Sequence, residues 1–351
     1  TIIEGIHFQN GNVPTTGGLE QTSGGAIYAS EANMIISNCK FTSNTASIGG
    51  AIAFHGVQPQ SGEVLADITM SELGIFNTTF QNNSAATGGA LETRYANTTI
   101  ENVLFSGNKA TSQGGGMYLF TSTTTVTNIT VSGNYADNYN GGVFAYVPTS
   151  GNIGESFTMT NSVVSGNDAG FAFPNMGQCT SCDISYSLNG DFNNTGIGNL
   201  NMTTNPAFVN PILANTAPNL NGDYSLTTSS PLVNAGTNAT IPDINLDLAG
   251  NPRLFDGTID IGAYELQSTL SISDVSTTDF KIYPNPVSNI LNIKTESQQF
   301  DYSIYNIQGQ EVLKSSSVKT SIIDVTSLPT GIYILKLASN NKTESFKIIK
   351  Q

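Results

Sequence analysis

The sequence predicts an all-β chain, a parallel β-helix followed by a small β-sandwich. Three observations carry this reading. The first is a Phe/Val-x-x-Asn-x-Ala motif that recurs at Phe41, Phe80, Phe105, Val131 and Val164. The second is a Gly-Gly-apolar motif that alternates with it, at Gly24-Gly25, Gly49-Gly50, Gly88-Gly89, Gly114-Gly115 and Gly141-Gly142. A fixed period of this kind is the signature of stacked coils, each unable to bury its apolar face alone. The third is composition: 35 Gly, no Trp and only 11 % charged residues among 351, a profile suited to short strands and turns.

The spacings define the coil. From the second Gly of a pair to the next Phe/Val there are 16 residues at Gly25–Phe41, Gly89–Phe105 and Gly115–Val131. The return steps from Phe/Val to the next pair are 9, 9, 10 and 11. The basic coil is therefore about 25 residues. Coils two and five carry insertions of 14 and 6 residues just after the Gly-Gly strand, the first spanning roughly His55 to Thr69. Leucine-rich repeats share the period, but their Leu framework is missing. In a β-helix an Asn at one fixed position stacks on its equals as a ladder, and paired Gly lets the backbone turn tightly.

Aligning the Gly-Gly strands divides each rung. The fourth column reads Ile27, Ile52, Leu91, Met117, Phe144 and the sixth Ala29, Phe54, Thr93, Leu119, Tyr146; alternation places both in the core. The fifth and seventh columns then face outward: Tyr28, Ala53, Glu92, Tyr118, Ala145 and Ser30, His55, Arg94, Phe120, Val147. Tyr28, His55, Glu92, Arg94, Tyr118 and Phe120 form the candidate ligand-binding surface, with the first insertion as one wall. Aromatic rings beside a carboxylate and a guanidinium are suited to sugars, whose apolar faces stack and whose hydroxyls accept and donate. A solvated Glu–Arg pair among ordinary surface aromatics accounts for the same residues.

Charge divides the chain near residue 270. Residues 1–270 hold 19 Asp and Glu against 4 Lys and Arg, whereas residues 271–351 hold 7 against 8. The long acidic part repels nucleic acid and anionic lipid. No run of 18 apolar residues is present, so no membrane-inserted helix is expected, and no signal peptide is seen. The opening run Thr1–Phe8 is strand-like, and the start reads as processed or truncated.

Three cysteines are present. Cys39, beside Phe41, is expected as a buried thiol. Cys179 and Cys182 lack a second ligand pair for zinc and a thioredoxin-like context, which favours a local disulfide. No cofactor motif is found. Asp243, Asp247, Asp256 and Asp260 offer oxygen ligands for calcium, but not at EF-hand spacing, and capping turns around Arg253 account for them equally.

Three resemblances follow from these motifs. The Gly-Gly-Ala-Ile and Phe-x-x-Asn pair, over roughly residues 8–170, resembles the polymorphic outer-membrane protein repeats of bacterial surface adhesins. That resemblance implies a right-handed parallel β-helix, a pectin-lyase-like solenoid, used in attachment. Residues 205–265, through Asn205-Pro-Ala-Phe-Val209, Gly222-Asp-Tyr-Ser-Leu226, Ser230-Pro-Leu-Val-Asn-Ala-Gly236, Asp247-Leu-Ala-Gly-Asn-Pro-Arg253 and Asp256-Gly-Thr-Ile-Asp-Ile-Gly-Ala-Tyr-Glu265, resemble the end module of secreted bacterial β-helix proteins that precede varied surface anchors. Lys281-Ile-Tyr-Pro-Asn-Pro286, Tyr305-Asn-Ile-Gln-Gly-Gln-Glu311, Leu328-Pro-Thr-Gly-Ile-Tyr333 and Lys347-Ile-Ile-Lys350 look like the C-terminal sorting domain of the type IX secretion system of Bacteroidetes. It implies sorting residues at Pro284, Asn285, Pro286, Gly331, Tyr333 and Lys350, a secretion machinery as partner, and a secreted or outer-membrane cell-surface location.

The expected organisation is thus a β-helix over 1–266, with 205–265 as its end module, a Ser/Thr-rich linker over 267–279, and a sorting domain over 280–351. The expected function is an adhesin-like surface or secreted protein contacting glycans on the outward face. A polysaccharide lyase or glycoside hydrolase on the same scaffold is the alternative. Arg94 and His55 are its only outward candidates for a lyase, and Glu92 stands alone where a hydrolase needs two carboxylates. A structural spacer is the third reading.

Overall fold

A computed structural model describes the chain apart from residues 15, 59, 61–68, 147–155, 177–181, 192–194, 241–245, 268–279, 296–298 and 340–341. It divides into two compact units, Thr1–Ser268 and Thr269–Gln351.

The first unit is a parallel β-helix. Its coils build four parallel sheets, of seven, seven, four and five strands among the described residues. The first sheet runs from Ile2–Glu4 to Cys182–Ser185, and the second from His7–Gln9 to Leu188–Asn189. The third holds Ser84–Thr87, Lys109–Gln113, Tyr135–Ala136 and Asp168–Ala169. The fourth holds Ile27–Ser30, Ile52–His55, Leu91–Arg94, Met117–Phe120 and Val143–Tyr146. Between the first two sheets the chain turns through Asn38, Asn77, Asn102, Asn128 and Asn161, all at positive φ, a conformation that Asn tolerates better than other non-glycine residues.

Two ladders of like residues fill the interior. Phe8, Phe41, Phe80 and Phe105 stack with centroids 4.7–4.8 Å apart, the interstrand spacing of a sheet. Val131 and Val164 continue their column. At the next corner the motif asparagines form a continuous chain. Each Nδ2 donates to the Oδ1 of the next rung, from Asn44 through Asn83, Asn108 and Asn134 to Asn167, at 2.8–3.0 Å. Each Oδ1 also accepts the backbone N–H of the preceding rung's Asn, at 3.0 Å. Asn175 extends the ladder, and its amide donates to Asp191 Oδ1 at 3.0 Å. The ladder therefore ends on a group that only accepts.

The described residues of 205–266 add no further coil. They fold back along the outer face of the second sheet, where Leu226, Leu232 and Ile261 cover Val163 and Leu188. Arg253 is buried there. It donates to the carbonyls of Gly262 and Ala263 at 3.1 and 2.9 Å and to Asn102 Oδ1 of a β-helix turn. Tyr224 packs so closely that a Cβ at Gly133 would lie 2.4 Å from its hydroxyl oxygen, and Gly133 is at φ +73°. A side chain there fails on both counts.

The second unit is a β-sandwich. A three-stranded antiparallel sheet of Phe280–Tyr283, Ile290–Thr295 and Ile322–Asp324 shares one core with a four-stranded antiparallel sheet of Phe300–Asn306, Glu311–Val318, Gly331–Ser339 and Lys342–Lys350. Among the described residues, no helix is long and apolar enough to cross a membrane.

One rung departs from the expected alignment. Met117 pairs with Val143, Tyr118 with Phe144 and Phe120 with Tyr146. Phe144 and Tyr146 therefore point outward, not into the core, and Ala145 packs inward against the core. Val147 lies outside the described residues. A one-residue shift exchanges every side chain between faces. Its cause is Asn140, which occupies the positive-φ position held by Gly24, Gly49, Gly88 and Gly114 on the other rungs. Gly141 and Gly142 thus match Gly115 and Gly116, not Gly114 and Gly115. Counted to Gly141, the return spacing is 10 residues, in line with the others.

Candidate functional site

The outward face of the five-stranded sheet places the six sequence-selected residues on adjacent rungs. Tyr28 pairs with Ala53, His55 with Arg94, Glu92 with Tyr118, and Arg94 with Phe120. Parallel pairing without offset stacks like columns above one another, as the alternation of short strands dictates.

Glu92 points outward but is 0 % exposed. Its Oε1 accepts from Arg94 Nε at 2.6 Å, and its Oε2 accepts from the Thr87 hydroxyl at 2.5 Å. The carboxylate is thus consumed in holding Arg94. The guanidinium Cζ lies 5.6 Å from the Tyr118 centroid and 5.4 Å from the Phe120 centroid, within cation–π range. No other hydrogen bond holds the Arg94 side chain among the described residues, which leaves its Nη groups as donors. Burial pushes the Tyr118 phenol above its ordinary pKa against the pull of Arg94, so the hydroxyl is a neutral donor near pH 7.

The rings do not offer their faces to solvent. Tyr118 stacks on Phe144 at 4.6 Å, and Phe120 on Tyr146 at 5.1 Å, each pair within 12° of parallel. Tyr118 and Phe120 are thus covered by this neighbour on one face and by the Arg94 guanidinium on the other, and present ring edges. Sugar stacking, expected of Tyr118 and Phe120, meets no free face on either ring.

The concave part of the surface lies toward the first rungs. A cavity of about 400 Å³ is lined by His55, Arg94, Tyr28 and Ser30 on the sheet. Glu31, Gly56 and Tyr95 line it from the turns that leave the sheet, Leu19 from the helical turn Leu19–Thr22, and Gln58 from the first insertion. His55 is 6 % exposed and meets the Tyr28 ring edge to face at 5.6 Å. Its Nε2 lies 3.8 Å from Glu92 Oε1 and has no hydrogen-bond partner. Glu31 and Tyr95 both adopt positive φ at equivalent turn positions. Sequence columns confined to the strands miss them, and they miss Leu19, which lies on an unforeseen helical turn, Leu19–Thr22. Of the first long insertion, residues 59 and 61–68 lie outside the described residues, but Gly56 and Gln58 do wall the cavity.

The acidic group resolves differently. Asp247 accepts the backbone N–H groups of Ala249, Asn251 and Glu265 at 2.7–3.0 Å. Asp260 accepts those of Asn234 and Leu266 at 2.7 and 2.6 Å. Both carboxylates thus cap turns around Arg253. Asp256 is exposed and Asp243 lies outside the described residues. Among the described residues no three His, Cys, Asp or Glu side chains are grouped to hold a metal ion. Cys39 is a buried free thiol. Cys182 is disulfide-bonded, and Cys179, its expected partner, lies outside the described residues.

In the second unit the residues selected as sorting signals converge. Asn285, between Pro284 and Pro286, donates through Nδ2 to the Lys347 carbonyl at 2.7 Å and accepts the Ile349 N–H at 2.9 Å. Gly331 pairs with Lys350 across the sheet, and the Tyr333 hydroxyl donates to the Pro329 carbonyl at 2.9 Å. The expected linker, from residue 268 on, lies outside the described residues.

A family model described as a secretion system C-terminal sorting domain matches residues 281–351. No curated protein matches the chain. The sorting domain marks the chain for export by the type IX secretion system, to be secreted or attached at the cell surface.

Proposed function

We propose that this exported chain is an adhesin-like binding protein that contacts glycans on the outward face of its β-helix. One observation carries the reading: the cavity of about 400 Å³ lined by Tyr28, His55, Arg94 and Tyr95, in which Glu92 fixes a guanidinium that keeps free donors. Preformed concave sites with aromatic walls and a few placed polar groups are where small ligands bind. Glu92 then acts by positioning Arg94 and does not touch the ligand. Screening the full chain on a glycan array, beside Tyr28→Ala and Arg94→Ala, tests this. Both variants are expected to lose the bound glycans. Retained binding in both removes the cavity from consideration.

One feature favours the catalytic alternative. His55 lines the cavity on the rung next to Arg94, with its Nε2 3.8 Å from Glu92 Oε1. A lyase needs a cation to neutralise a uronate and a base to take its proton. A hydrolase is less well served, because Glu31 is the cavity's only lining carboxylate among the described residues and Glu92 is occupied. Release of unsaturated uronate ends from pectins or alginates, lost in His55→Ala, would establish the lyase.

A further inference from the structure

We infer that the cavity takes the free end of a neutral glycan, chain end first, and not an internal stretch laid along the sheet. The inference rests on the glycan-binding reading above and specifies its ligand.

Shape gives the first argument. A chain lying along the sheet would cross successive rungs toward Tyr146. Immediately past Arg94 that path meets Tyr118 and Phe120, whose rings are stacked on Phe144 and Tyr146 and show only edges. Leu19 and Gln58, both outside the sheet, add to the lining of the cavity. A volume near 400 Å³ lies at the low end of the roughly 300–1,000 Å³ of small-ligand clefts. The site is a pocket beside the stacked rings, not a groove continued along them.

Charge gives the second. The Arg94 guanidinium is matched by Glu92 at 2.6 Å, and Glu31 adds a carboxylate to the wall. Residues 1–270 carry 15 more acidic than basic side chains. An anionic sugar would enter against this field. A neutral sugar end, by contrast, meets the Nη donors of Arg94, the Glu31 acceptor and the rings of Tyr28 and Tyr95.

The test takes a neutral oligosaccharide found on the array and measures the full chain against a length series of it, from the sugar of its free end upward. End-on binding predicts affinities within about threefold across the series. It also predicts that methylating the hydroxyls of the terminal sugar abolishes binding. Tyr146→Ala, at the far end of the ring ladder, is expected to bind as the parent does, whereas Leu19→Ala and Gln58→Ala weaken binding. Affinity that climbs steeply with chain length, survives terminal methylation, or falls in Tyr146→Ala overturns the end-on geometry while leaving glycan binding intact. Hits confined to acidic glycans overturn the neutral specificity. An array with no hits overturns the binding function itself.

Discussion

At the scale of single residues, Glu92 shows how an outward-facing side chain becomes internal. Alternation correctly sends it to the outer face, but there it is wholly buried beneath its own partners. Its worth lies in its bond to Arg94, which is itself about one-third exposed. Hydrogen bonds to charged groups contribute roughly 1.5–3 kcal/mol when shielded, and exposure of Arg94 reduces that. Glu92→Gln keeps the shape and loses the charge. It is expected to cost about 1 kcal/mol of stability and to weaken glycan binding several-fold by loosening Arg94. Urea unfolding beside a binding titration separates the two. A variant with full affinity would show that Arg94 needs no positioning.

At the scale of elements, the ladder of asparagines is the main polar device of the β-helix. Asn108 donates to the Phe80 carbonyl and to Asn134, and accepts from the backbone and side chain of Asn83, at 2.8–3.0 Å. It has no exposure to water. Replacing it by Ala leaves partners unsatisfied on two rungs, each at about 1–3 kcal/mol. Asn108→Ala is therefore expected to lose about 3 kcal/mol or more, measured by chemical denaturation. Asn97→Ala, whose side chain donates only to the exposed Glu72 carboxylate at 2.8 Å, serves as the control with a change under about 0.5 kcal/mol. Equal losses would remove the ladder as the source of stability. This ladder was legible in the sequence because one residue type recurs at one position of five successive coils. The outer face was less so. Asn140 in a glycine's place shifted the last rung by one residue and hid Phe144 and Tyr146. The turns that carry Glu31 and Tyr95 recur in geometry but not in residue type, so no periodic pattern could show them. Leu19 lies on a helical turn, Leu19–Thr22, that has no counterpart on the other described rungs.

At the scale of the whole β-helical unit, the returning segment 205–266 ties rungs that a simple solenoid leaves dependent on nearest neighbours. Its anchor is Arg253, which reaches Asn102 across 151 residues of sequence. Three buried carboxylates, Asp247, Asp260 and Glu265, surround this one cation. Burial, together with Asp260 and only partly offset by Arg253, raises the Glu265 pKa from 4.5 to about 8, and burial raises that of Asp260 in the same direction. The folded state therefore holds protons that the unfolded chain has released between about pH 4.5 and pH 8. Stability from this group is full below that window and falls as pH rises through it, by at most ~1.4 kcal/mol per pH unit. Thermal unfolding of the full chain is expected to show a melting temperature that declines from about pH 5 to pH 8. Glu265→Gln mimics the protonated carboxyl, so its decline should be shallower and its melting temperature at about pH 8 higher than the parent's. Parallel declines in the two proteins would mean that Glu265 does not carry the pH dependence, and that the anchor's excess negative charge is neutralised elsewhere.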